Sequence, residues 1–145
     1  MRWELWRLRM HILARALVLP GLSRRMAMSR LLAWSTPERV HPLYARLTEQ
    51  QIAAEVQRRL RAPWRMRGRR CLREGLLTFY FLRAAGIPAV LQFGVFHEAR
   101  GREHAHCWVE VESREVTAPP QAPYVLIWTH NPASSATAAP LSRAA

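Results

Sequence analysis

Apolar residues recur at helical spacing near the start of the chain. Leu5, Leu8, Ile12, Ala16 and Leu19 share one side of residues 3–19, while Arg7, Arg9 and Arg15 mark more polar sides, so the spacing predicts an amphipathic helix packed on a core. Pro20-Gly21 is expected to close it. A second helical stretch, 22–34, runs up to "STPERVHP", whose two prolines mark a loop. A third begins with a capping box, since Thr48 stands three residues before Gln51, and Ile52, Val56 and Leu60 supply its stripe. Pro63 and Gly68 break "RAPWRMRGRR". A fourth helix then opens at Cys71 and stops at "RAAGIPA", where Gly86 suits the left-handed residue after a helix and Pro88 follows.

Near residue 90 the period changes from helical to alternating. "AVLQFGVF" sets Phe and Val against Gln92 and Gly94 and reads as a strand. A turn, "EARGRE", leads to "HAHCWVEVE", the clearest strand in the chain, which a tight turn near 112–114 returns as "REVTA". "PPQAP" interrupts the sheet, "YVLIW" supplies one more strand, and "NPASSATAAPLSRAA" reads as a disordered tail. There are no internal repeats. Helices first and a small antiparallel sheet after them define an α+β fold in one domain. Residues 1–62 form its helical part, 63–130 its core, and 131–145 the tail.

Composition narrows the picture. With 145 residues, half of them apolar, the chain can build a real core. All 22 basic residues are arginine, and against 10 carboxylates they leave a net charge of +12, which points to an anionic partner or a solvated cationic face. No RNP, KH or helix-turn-helix signature accompanies that charge, so no specific nucleic acid is expected. Two cysteines make no disulfide framework. No apolar run reaches the length of a membrane span. The arginine-rich start resembles a targeting peptide superficially, but Arg15 interrupts it and no small-residue cleavage site follows; the expected location is the cytoplasm.

The chemistry rests on the two cysteines and the strand histidines. Alternation puts His104, His106, Trp108, Glu110 and Glu112 on one strand face and Ala105, Cys107, Val109 and Val111 on the other, so Cys107 reads as a core residue pointing away from His106. Cys71 differs. The first turn of a helix has unpaired N–H groups and a partial positive charge, and Arg69, Arg70 and Arg73 add to it, which favours the thiolate, the nucleophilic form. His106, 35 residues on, is placed to exchange the proton across one helix and one hairpin strand. Spacing leaves three readings open: a Cys–His active site, an inert packing cysteine, and a metal site of Cys71, His104 and His106. The last has no Cys-x-x-Cys and no evident fourth ligand, so neither a metal nor another cofactor is expected.

The ordered set "RRCLREGLLTFYFLRAAGIPAVLQFGV", a short hairpin and "HAHCWVEV", over residues 67–112, resembles the bacterial transglutaminase-like cysteine protease family of lasso-peptide biosynthesis, whose members remove the leader from a lasso precursor. The resemblance implies a papain-like core with the nucleophile on a helix and the base on a packed sheet. It assigns Cys71 as nucleophile and His106 as general base. The implied partners are the precursor's leader peptide, a separate leader-recognition protein and a macrolactam synthetase resembling asparagine synthetase.

One departure stands out. The family usually carries an acid about a dozen residues after the histidine. Here that stretch reads "EVTAPP", with Thr117 and Ala118 at the corresponding place and no carboxylate side chain after Glu115. Glu115, Glu110 or Thr117 is left as a possible third member, or the site works as a Cys–His dyad. The alternative is a catalytically impaired relative that keeps the fold as a peptide- or protein-binding scaffold.

Overall fold

The computed structural model describes residues 2–61, 70–97, 103–117 and 124–132. Four helices precede the sheet: α1 (Arg2–Arg25), α2 (Met28–Trp34), α3 (Glu49–Leu60) and α4 (Arg70–Ala84). The strands are β1 (Ala89–His97), β2 (Glu103–Val111), β3 (Arg114–Glu115) and β4 (Val125–His130), in spatial order β3-β2-β1-β4 with antiparallel pairing throughout. The expected α+β architecture is present.

The first helix runs past the proline expected to end it. Pro20 sits inside α1, the Ser23 hydroxyl donates to its carbonyl (3.2 Å), and Leu19 and Ser23 are buried on either side of it. Packing of that turn outweighs the lost backbone hydrogen bond. The break between α1 and α2 comes instead at Ala27, whose backbone is extended. α3 begins as its sequence dictates. The Gln51 N–H donates to Thr48 Oγ1 (3.3 Å) and the Thr48 N–H to Gln51 Oε1 (3.0 Å), a reciprocal cap worth about 1 kcal/mol.

α4 is the central helix. Leu72, Leu76, Leu77, Phe79, Phe81, Leu82 and Ala84 are all buried, the pattern of a helix enclosed on most sides. Leu8 and Ile12 of α1 and Ile52 and Val56 of α3 belong to the same core, as do Leu91, Cys107, Val109 and Val111 of the sheet. Gly86 ends the helix at φ 84°, and the Ile87 N–H returns to the Leu82 carbonyl (3.0 Å), the left-handed stop that only glycine adopts without strain.

β1 and β2 pair in continuous register from Ala89↔Val111 to His97↔Glu103. The turn after β2 places Glu112 and Ser113 at φ 50° and 63°, as a two-residue hairpin of matching twist requires. The returning strand is shorter than "REVTA": only Arg114 and Glu115 form β3, and Arg114 pairs with Glu49 at the head of α3. The breaks expected at residues 62–69, 98–102 and 118–123, and the tail beyond 132, lie outside the described residues.

Candidate active site

Cys71 is the second residue of α4 and is half-buried. Leu72 and Leu76 anchor that end of the helix in the core while Cys71 faces outward beside them. One turn further on, Gly75 lets α4 lie directly on the sheet. A Cβ at that position would stand 2.7 Å from Cys107 Sγ and 3.2 Å from Leu91 Cδ1, closer than packed atoms allow. Cys107 is accordingly closed in, 5% exposed, and burial pushes its thiol far above the usual range.

His106 lies in β2 opposite Gly94 of β1. Its ring stacks on Trp108 (centroids 5.9 Å apart, planes 18° apart) and packs against Tyr124 at 5.0 Å. Trp108 is fixed in turn. Its Nε1–H donates to Glu110 Oε1 (2.8 Å), Gln92 Nε2 donates to Glu110 Oε2 (3.1 Å), and Thr129 donates to Gln92 Oε1. This chain of bonds crosses three strands and sets the plane against which the imidazole rests. Gly94 makes room for it: a Cβ there would come within 3.0 Å of the Trp108 ring and of the Val125 carbonyl.

Cys71 and His106 line one cleft of about 410 Å³, together with Gln57 and Arg61 at the end of α3 and Arg70 and Glu74 of α4. The geometry therefore unites a half-buried thiol, an imidazole, two guanidinium groups and the Glu74 carboxylate in a single opening, a set suited to thiol-based nucleophilic chemistry on a carbonyl-bearing ligand. Of the three arginines expected to surround Cys71, Arg70 lines the cleft, Arg73 is buried in α4 and is not one of its walls, and Arg69 lies outside the described residues.

The possible third members take separate positions. Both Glu110 oxygens are occupied by Trp108 and Gln92, and four residues of strand put Glu110 about 13 Å along β2 from His106. Glu115 is exposed in β3, opposite Glu110. Thr117 is buried, and its hydroxyl accepts the Val109 N–H (3.1 Å). Ala118 is outside the described residues. His104 is exposed, and among the described residues no group of three His, Cys, Asp or Glu side chains is placed to hold a metal ion.

Periodicity did not single out three of the cleft's walls, Gln57, Arg61 and Glu74. Glu74 was readable in principle, one helical turn from Cys71. Gln57 and Arg61 were not, because they reach the site only through the packing of α3 on α4. The hydrogen-bonding role of Gln92 likewise depends on strand pairing.

No helix among the described residues is long and apolar enough to cross a membrane. No curated protein and no solved structure matches the chain significantly. A family model, described as the transglutaminase-like superfamily, matches residues 2–129. With a thiol at the head of the central helix and an imidazole on the sheet beside it, and with that match over nearly its whole length, the chain belongs to the transglutaminase-like superfamily.

Proposed function

We propose that this protein is a cysteine peptidase that removes the leader from a lasso-type precursor peptide in the bacterial cytoplasm, with Cys71 as nucleophile and His106 as general base. The observation that carries the reading is the shared cleft of the two side chains. The order of motifs along residues 67–112 supports the narrower substrate.

The reaction follows from the groups present. His106 takes the Cys71 proton, and the sulfur attacks the scissile carbonyl carbon. The Cys71 N–H, in the first helical turn and so without an intrahelical acceptor, donates to the oxyanion. His106 returns the proton to the leaving amine as the C–N bond breaks, leaving a thioester on Cys71. Water, deprotonated by His106, then attacks the thioester and releases the new carboxylate and the thiol. Arg61 and Arg70 at the mouth suit an acidic stretch of leader. A separate leader-recognition protein would present the substrate, and a macrolactam synthetase would take the trimmed peptide.

The placement of Glu110 and Glu115 favours a second reading, in which the site binds peptide without cleaving it. The two separate in one experiment. A lasso-type precursor is incubated with the protein and its leader-recognition partner, and products are followed by mass spectrometry. Cleavage between leader and core that is lost in Cys71→Ala supports the peptidase. Precursor that binds equally to both proteins and stays intact supports the scaffold.

A further inference from the structure

α1 carries a second apolar line on the side turned away from the core. Trp3, Trp6, Met10, Leu13 and Leu17 follow one another at intervals of three, four, three and four residues, so they fall within an arc of about 80° on the helix. The buried Leu8, Ile12 and Leu19 occupy the opposite side. Trp3, Trp6, Met10 and Leu17 are 60%, 51%, 44% and 55% exposed, and Leu13 is half-buried. The Trp3 and Trp6 rings stack at 5.1 Å, so the first turn already presents one flat apolar block. The line is about 21 Å long.

Its width and borders indicate what covers it. A narrow seam of alternating three- and four-residue steps is the geometry of helix pairing, in which side chains of one helix enter the gaps of the other. Arginines border its N-terminal half on both sides, while beyond Met10 the Arg7 side continues into Ala14 and Val18, the latter 52% exposed. Arg7 lies over the Trp3 ring at 5.5 Å. On the other side a groove of about 120 Å³ between α1 and α3 is walled by Arg9, Arg58 and Arg59 beside Met10 and Leu13. The carboxylate in that groove, Glu55, is already held by Arg9 through two bonds (2.7 and 2.9 Å) and by Arg58. The charge left facing outward is positive, and a second copy of this chain, at +12, would oppose arginine to arginine.

We infer that the outer face of α1 docks an amphipathic helix of a different protein, one whose apolar stripe has three–four spacing and is flanked by glutamate or aspartate. Apolar contact along the seam supplies the adhesion, and the arginine borders select the partner's charge and orientation. The inference stands apart from the chemistry at Cys71.

The test uses labelled designed helical peptides of about 21 residues and fluorescence anisotropy with the full chain. One peptide has a leucine seam and glutamate flanks; one keeps the glutamates but has serine in the seam; one keeps the leucines but has lysine flanks. The first is expected to bind at least about tenfold more tightly than either control, and Met10→Glu/Leu17→Glu to weaken it by at least about tenfold. Circular dichroism and Cys71 alkylation rate confirm that the variant folds. Equal binding of the serine-seam peptide would reduce the face to bulk charge and overturn the proposal. So would binding undiminished in the folded double variant. Tight, Met10- and Leu17-dependent association with phosphatidylglycerol vesicles, without preference among the peptides, would assign the face to membrane instead. Sedimentation showing Leu17-dependent self-association would assign it to a second copy.

Discussion

Cys71 and Cys107 lie on the two elements that meet at the centre of the molecule, α4 and β2, yet their surroundings differ in kind. Cys71 stands where a helix begins, half-buried and facing a cleft shared with His106. Cys107 stands where the same helix has closed onto the sheet, its sulfur directed at the space a side chain on residue 75 would need. One thiol is opened by the end of an element and the other is sealed by the absence of a Cβ. The reactivity expected of each follows from that placement rather than from residue type.

The largest contrast should come from deleting each thiol. Cys71→Ala should abolish precursor cleavage, whereas Cys107→Ala should leave turnover within a few-fold and show its cost in thermal stability; equal losses of turnover would erase the distinction. His106→Ala should lower turnover by about 10²–10⁴-fold with the fold intact by circular dichroism.

A smaller effect is expected at the sealed end. Helix propensity alone predicts that Gly75→Ala stabilises α4 by about 1 kcal/mol. The contact with Cys107 predicts the reverse, a net loss of about 1–2 kcal/mol in denaturant unfolding, as overpacking usually costs. The double variant with Cys107→Ala should recover most of the loss, and a cycle with no coupling would show that the two positions do not press on each other.

Next in size is the support behind the imidazole. Glu110→Gln keeps an acceptor for Trp108 but removes the charge, so turnover should fall less than with Trp108→Ala, while substrate affinity changes little in either. The smallest effect is a pH dependence. Burial, with Arg83 nearby, lowers the proton affinity of His130 below that of a free imidazole, so the unfolded chain binds the proton more readily and stability falls as pH drops below about 6.5. Arg9 holds the Glu55 carboxyl below its usual range, so its contribution, present above about 4.5, is lost as pH falls through the folded value. A thermal midpoint constant from pH 7 to pH 5 would contradict the first, and one constant from pH 5 to pH 2 the second.

Local signals read well from the sequence. The Thr48–Gln51 cap, the Gly86 stop and the turn after β2 each depend on neighbours within a few residues, and each is present as expected. Alternation in β2 holds for the buried Cys107, Val109 and Val111, but Trp108 on the other face is buried too and Ala105 is exposed. Cys107 was legible as core because alternation fixes its face. The end of α1 was not, since burial of Leu19 and Ser23 overrides the local preference of Pro20. The site divides along the same line. Cys71 and His106 stand out through position and pattern, whereas Gln57 and Arg61 join them only once α3 packs on α4. Glu110 was readable as a polar residue on the histidine's face. Its commitment to Trp108 and Gln92 needed the register of β1 and β2.

The most direct test of a paired thiol and imidazole is the rate of iodoacetamide alkylation at Cys71 at neutral pH, measured site by site by mass spectrometry in the native protein and in His106→Ala, with Cys107 as internal reference. Rapid modification of Cys71, slowed at least about tenfold by the histidine substitution while Cys107 stays unmodified in both, is the predicted result. Modification of Cys71 at the rate of an ordinary exposed thiol, unchanged by the loss of His106, would contradict it.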